Sequence, residues 1–451
     1  MSLNRRAFLA GTTAMSFAGA GALAQSLSDE VPIDPLLFSL VSHDPQIVYG
    51  SLAIVLERGG TDLVTSLIFA SRYGIPGAFD EVLQRLTGAD RRGWFDWMVW
   101  QEEHPEILSH PAYYRFKSTM LRQIDPNFDV FVDLRYVAPD AMKIRFEEVT
   151  WGGVVKDGIP SLDNPFLIGA EDAGYLAEDD LVFGVAINGD VRAYPLRIMG
   201  WHEMFNEVIG GVPVALAYCT LCGAGILFET QIGDDEPLIF GSSGFLYRSN
   251  KLMFDRKTHS LWNQFTGKPV SGKLADSGIE LKQRPVVVTE WKNWKAQNPE
   301  TQVLSLSTGY LRDYGSGVVY NDYFASPDLM FPARVAEAGQ AQKDFIFGVR
   351  LAGGAKAWPL TAFDGGRVIN DTVGFQNLVL IGDAATRTVR AYDRGDLEFD
   401  AELQAEGAQW TLTEEALVGP GGATAPRVAG HVSYWFAWAG YLGDSAEVFE
   451  N

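Results

Sequence analysis

Cys219-Thr220-Leu221-Cys222-Gly223 is the stretch whose residue types and spacing offer chemistry most directly. Two thiols at this spacing can hold one metal ion at roughly 2.3 Å each, cycle as a redox dithiol, or sit as an inert local disulfide or buried thiol pair. Strand-like runs flank the motif, Val212–Tyr218 before it and Gly225–Glu229 after it. It is therefore expected at a hairpin tip, not at the start of a helix whose dipole would acidify the first thiol. Glycines at 223 and 225 fit a metal knuckle, where positive φ turns backbone N–H groups toward thiolates. Metal ligation is the expectation here, with the dithiol and the inert pair as alternatives.

Two cysteines leave a tetrahedral ion half satisfied, and an internal repeat indicates where further ligands lie. The sequence from Asp180 to Gly210 recurs without a gap from Asp344 to Gly374, with ten of 31 positions identical, where about two are expected by chance. Trp201-His202-Glu203 in the first copy faces Gly365-Gly366-Arg367 in the second, and Cys219 and Cys222 face Asp383 and Thr386. The fold itself does not require the four reactive residues. A lone histidine is more often structural, but this contrast makes His202 the third ligand of an expected mononuclear Cys219/Cys222/His202 site. The ion would be zinc, copper or iron, which ligand types alone do not separate. Glu203 is expected to ligate, to act as the catalytic general base, or to hold the imidazole tautomer. Asp157, Asp163, Ser243, Arg248, Asp255 and His259 are further candidates for lining the pocket. For Asp157 and Asp163 in KDGIPSLDNP, turn chemistry is the plainer reading.

The elements that position these residues follow from pattern. A chain of 451 residues with 47% hydrophobic content is long enough for two or three domains with buried cores. Its net charge of −21 argues against nucleic-acid binding and against docking on an anionic membrane. Arg5-Arg6, an apolar Gly/Ala-rich run from Ala10 to Leu23 and the triplet Ala22-Leu23-Ala24 read as a twin-arginine export signal cleaved after residue 24. That signal implies a periplasmic protein carried folded, with no membrane span after cleavage. Two cysteines are too few for a disulfide framework. Residues 31–145 carry apolar positions three and four apart, broken at Gly59-Gly60 and Gly74-Ile75-Pro76-Gly77, and predict a small helical, repeat-like domain. Beyond Arg145 short β-branched and aromatic runs take over. The predicted fold is mainly β or α+β: two tandem duplicated β-rich modules, 150–310 and 330–451, each closed by a short helix bearing a Trp-x-x-Trp pair, Trp291/Trp294 and Trp435/Trp438. Leu261-Trp262-Asn263-Gln264 and Gln409-Trp410-Thr411-Leu412 extend the repeat.

GGVVKDGIPSLDNP (152–165), residues 192–228 around the cysteines, GSSGFLYRSNKLMFDRKTHSLWNQFTGKPVSG (241–272) and VINDTVG (368–374) resemble the exported bacterial family known as domain of unknown function 3179. The resemblance covers residues 145–451 and implies a shared fold and site, with no activity attached. Thr220 stands where the family pattern has proline. The expected function is an exported metal-binding protein and, if catalytic, a metal-dependent oxidoreductase. One rival is a metal-free thiol–disulfide oxidoreductase using Cys219 and Cys222. The other is a non-enzymatic metal-handling factor, for copper for example, whose N-terminal helices contact a protein partner. No phosphate-binding loop, dinucleotide fingerprint, nucleophile elbow or H-E-x-x-H motif is present.

Overall fold

The structure, a computed structural model, describes residues 32–336, 339–442 and 447–450, so the export signal lies outside the described residues. The chain divides into two compact units, residues 1–138 and 139–451.

The first unit is helical. Asp44 caps Pro45–Arg58 through its carboxylate to Gln46 N, proline occupies the first turn, and Gly59 and Gly60 end it at positive φ. Val48, Leu52 and Val55 line its buried face, while Leu67, Ile68, Trp97 and Phe116 fill the core from Val64–Ser71, Gly93–Glu103 and Ala112–Ile124. The aromatic stripe is thus core: Trp97 is fully buried, with its indole N–H on Asp80 Oδ1 at 3.0 Å.

The second unit is β-rich, with five sheets of four to six strands arranged like the blades of a five-bladed propeller, a closure that the sequence pattern does not reveal. Two pairs of sheets share a common set of strands. In one pair, the hairpin Leu181–Ile187/Asp190–Pro195 is flanked by antiparallel Val287–Glu290 and by parallel Gln302–Leu304. Phe345–Leu351/Gly354–Pro359 is flanked in the same way by His431–Tyr434 and Glu447–Val448. In the other pair, the meander Met204–Ile209, Val212–Cys219, Ala224–Glu229 answers Arg367–Val373, Gln376–Asp383, Thr388–Asp393. The cores correspond as well. Phe183, Val185, Tyr194 and Leu216 stand where Phe347, Val349, Trp358 and Leu380 do, each burial contributing about 1.5–3 kcal/mol.

The Trp-x-x-Trp helices, Trp291–Gln297 and Trp435–Leu442, explain one conserved feature of the two halves. Trp294 lies flat on Gly184 and Trp438 on Gly348, so close that an added Cβ would come within 2.2 Å and 2.1 Å of the rings. Glycine is required there for space. The remaining sheet, built on Phe240–Tyr247 and Asn250–Asp255, has no counterpart among the described residues of the second half. Trp262 belongs to it, whereas Trp410 packs with Phe399 in a different cluster, so that extension of the repeat is not reproduced.

Candidate functional site

The C-x-x-C motif occupies the predicted hairpin tip. Cys219 pairs with Ala224 across the two strands, and Gly223 has the positive φ (62°) that the turn needs. The sulfurs do not wait for a metal. They are bonded to each other, 219 to 222, and are 2% and 0% exposed as residues.

Four segments of the second unit meet on this turn. The first is the helix Leu196–His202, which ends on Glu203 in the left-handed conformation (φ 55°), whereas its counterpart Arg367 begins the strand Arg367–Val373. A glutamate held there costs about 1–2 kcal/mol. Its amide is fixed by Met199 O at 2.7 Å and its carbonyl by Tyr218 N at 2.8 Å. Glu203 Oε1 accepts the hydroxyl of Thr220, the residue between the cysteines, at 2.8 Å, and Oε2 pairs with Lys251 Nζ at 3.0 Å. The second segment is the tight turn after Tyr247, whose Arg248 and Ser249 both have positive φ without being glycine. It brings Asn250 Oδ1 and, at 3.9 Å, Ser249 O against Cys222 Sγ. A register shift between Lys251 and Met253 then re-aims Lys251 inward.

The third segment is the linker between the halves. Tyr320, again at positive φ, sends its hydroxyl to Glu203 Oε1 at 3.3 Å, and Tyr323 donates to Leu221 O at 2.7 Å. The fourth is the second half itself, where Tyr434 N donates to Cys222 O at 2.7 Å. Phe345 lies only 3.0 Å from where a side chain on Gly223 would begin. Three strained non-glycine residues, Glu203, Ser249 and Tyr320, therefore converge on one turn. Strain of this kind persists only where surrounding contacts over-determine it, and it concentrates at functional sites.

His202 is fully buried, and its ring is committed. Nδ1 lies 2.9 Å from Pro160 O, a pure acceptor, so Nδ1 carries the proton. Nε2 then accepts from Tyr314 Oη at 2.6 Å, which in turn accepts from Thr308 Oγ1 at 2.6 Å. Burial pushes the imidazole pKa below its ordinary value; the Pro160 bond opposes this and the Arg312 charge adds to it. Neutral His202 is thus a hydrogen-bonded anchor for the linker, with no lone pair to spare.

These geometries overturn the metal assignment. Among the described residues no group of three or more His, Cys, Asp or Glu side chains could hold an ion. The cysteines offer no thiolates, and His202 Nε2 already binds a hydroxyl. The expected zinc, copper or iron cofactor, the metal-dependent oxidoreductase and the copper-handling reading fall together.

The other expected pocket residues do not gather around the disulfide. Asp157 pairs with Arg256 at 3.0 Å, and Asp163 Oδ1 accepts from Ser161 and Asn206. Ser243 bonds Leu252 O, and Arg248 pairs with Glu148 and Gly440 O. Asp255 caps its own turn through Thr258 and Trp262, leaving His259 at positive φ on that turn. The residues that sequence reasoning passed over are Lys251, Asn250, Tyr314, Tyr320 and Tyr323. A lysine in the apolar run NKLMFD was the one available signal; the linker tyrosines carry no periodic pattern.

The chain belongs to a family of proteins of unknown function, DUF3179, whose model matches residues 156–445. The match spans the disulfide turn and every segment packed on it, but not the helical unit. No curated protein and no solved structure matches the chain. Among the described residues no helix is long and apolar enough to cross a membrane.

Proposed function

We propose that the protein is an exported thiol–disulfide redox protein without a metal, and that Cys219–Cys222 is its redox group. The two β-rich halves, 150–310 and 330–451, are on this reading a duplicated frame of which only the first carries the group. The observation that supports it best is the second half's own turn. Asp383-Ala384-Ala385-Thr386 closes the same hairpin in the same register, Asp383 opposite Thr388, with hydrogen bonds alone, among them Ala385 N to Asp383 Oδ1, Thr386 Oγ1 to Thr388 Oγ1 and Arg387 N to Ala384 O. The fold therefore does not need a covalent bond there. A disulfide closing so short a loop removes little chain entropy, about 2 kcal/mol. Both points favour chemistry over stapling.

The surroundings suit the reduced state as well as the oxidised one. A Cys222 thiol would find Asn250 Oδ1 and Ser249 O as ready acceptors, and the buried Glu203–Lys251 pair holds Thr220 between the sulfurs. In the exchange step a thiolate of a substrate dithiol attacks Cys219 Sγ. The 219–222 bond breaks, and Cys222 leaves as thiolate and takes up a proton. The substrate's second thiolate then displaces Cys219, so that substrate is oxidised by two electrons and the pair is reduced. Because both sulfurs are buried, the packing over the turn must first open. An oxidising compartment reached through the Arg5-Arg6 signal matches such a couple.

Equilibration of the folded protein with mixtures of reduced and oxidised glutathione, read by alkylation and mass spectrometry, tests this. The expected result is a reversible couple with a potential above about −300 mV, the level below which structural disulfides lie. A bond that is reduced only on global unfolding would reject it.

A further inference from the structure

Away from the disulfide, the linker builds a second feature. Residues 305–320 contain no helix or strand, yet they are tied down at several points. Trp201 Nε1 donates to Asp313 O at 2.8 Å, Arg197 Nε to Tyr314 O at 2.6 Å, and Tyr314 Oη holds His202. Between this strap and the helix Leu196–His202 lies a cleft of about 390 Å³, lined by Arg197, Leu306, Tyr310, Leu311, Arg312, Tyr314 and Gly315. That size falls in the range of sites for small organic molecules.

We infer that this cleft binds a small organic anion, a carboxylate or sulfonate on an aromatic or aliphatic body. One positive donor is free for it, and a second is held beside it by an ion pair with Asp180. Arg312 makes no ion pair among the described residues and gives only Nη1 to the neighbouring Leu311 O. Arg197 spends Nε and Nη1 on Tyr314 O, Tyr175 O and Asp180, which hold its guanidinium still, while its Nη2 makes no hydrogen bond. Two guanidinium groups on one cleft suit the planar, bidentate acceptor geometry of a carboxylate. The apolar part of such a ligand has its own wall. Leu306 and Tyr310 are each more than two-fifths exposed, and Leu311 is 95% exposed on a strap whose backbone is otherwise pinned. An organic anion would cover both parts of this surface, its charge on Arg312 and its body on the exposed Leu306 and Leu311. The His202–Tyr314–Thr308 chain sets the shape of the cleft, its hydroxyl protons all being committed inward.

The test uses two fluorescent probes of similar body, anionic 1-anilinonaphthalene-8-sulfonate and neutral N-phenyl-1-naphthylamine, titrated against the whole folded protein. Wild type is expected to bind the anion saturably at one site, with benzoate competing. Arg312→Glu is expected to raise the anion's dissociation constant at least tenfold while leaving the neutral probe within twofold, and Arg312→Lys to weaken the anion by an intermediate amount, keeping the charge but losing the bidentate fork, with the neutral probe again within twofold. Leu311→Ser should weaken both probes alike. Circular dichroism of each variant guards against misfolding, which is not expected at exposed strap positions. Non-saturable binding, or an anion affinity unchanged by Arg312→Glu, overturns the inference. Neither result bears on the disulfide, which the probes do not touch.

Discussion

Two turns of the same hairpin, 164 positions apart, show what this fold demands and what was added to it. At Asp383–Thr386 short polar side chains close the turn, which stays partly open to solvent. At Cys219–Cys222 a covalent bond closes it, and a buried acid–base pair, a strained glutamate and a tight turn without glycine are packed around it. Burying two opposite charges is roughly neutral at best compared with apolar packing, and strained residues add cost. Strands paired in the same register with such different tips teach that the first tip was not shaped for stability.

The comparison is broken most severely by unpairing the charges. Lys251→Met leaves the Glu203 carboxylate, 9% exposed, without its cation. It is expected to destabilise the second unit by about 4 kcal/mol, as broken buried pairs do. Adding Glu203→Leu should recover more than half of that, since the double variant removes the stranded charge. Urea midpoints of the three proteins decide. If Lys251→Met costs less than about 1 kcal/mol, the pair is solvated and contributes little to the turn.

Two buried histidines sharpen the contrast. His202 in the first half is bonded at both nitrogens, whereas His431 in the second is buried with Nε2 unpartnered among the described residues. Burial lowers the His431 pKa from 6.5 to about 3. The unfolded chain therefore binds the proton first, and the stabilisation is complete above pH 6.5 and is lost as pH falls toward 3. Between pH 7 and pH 4 this group alone should remove about 3 kcal/mol. His431→Phe, keeping the edge-to-face contact with Phe265 and the tilted one with Trp438, should show that much less acid loss in parallel urea titrations. Equal acid loss in the two proteins would place the sensitivity elsewhere.

Where the halves agree they should fail alike. Gly184→Ala and Gly348→Ala each force a methyl group into the face of a tryptophan. Each is expected to cost about 2–3 kcal/mol by overpacking. Calorimetry that finds one substitution tolerated and the other not would show that the two Trp-x-x-Trp helices are not equivalent supports.

How much of this the sequence discloses depends on the range of the interaction that carries it. The hairpins, the Trp-x-x-Trp helices and the glycine turns are written in local periodicity, and the repeat exposes the odd residues of the first tip. The propeller-like arrangement is not local, because each sheet takes strands far apart in the chain, as when Val149–Trp151 joins Phe240–Tyr247. The error at the site has a similar origin. Cysteine spacing permits a metal or a disulfide equally, and the decision lies with partners that sequence distance hides. Tyr314, 112 residues after His202, takes the lone pair a metal would have used. Lys251, 48 residues after Glu203, shows that the glutamate answers a cation in the protein, where an expected ion had been placed. The twin-arginine segment stays a proposal from sequence.

The smallest expected effect is the most informative. Cys219→Asp with Cys222→Thr gives the first turn the polar residues of the second while keeping Gly223 and both strands. If the disulfide is redox chemistry laid on a turn that folds without it, the variant should lose no more than about 2 kcal/mol, the chain-entropy contribution of so short a loop. It should also lose every thiol-dependent activity. The two readouts move apart only on this reading. A staple predicts a large loss of stability and of Tyr434 and Tyr323 packing together, because the turn would open beneath them. Near-ultraviolet circular dichroism, compared with Tyr323→Phe and Tyr434→Phe controls, reports the aromatic packing, and urea unfolding gives the free energy. A native tyrosine signal with a small stability loss would leave the disulfide free for exchange, whereas a collapsed signal with a loss above about 4 kcal/mol would return it to structure.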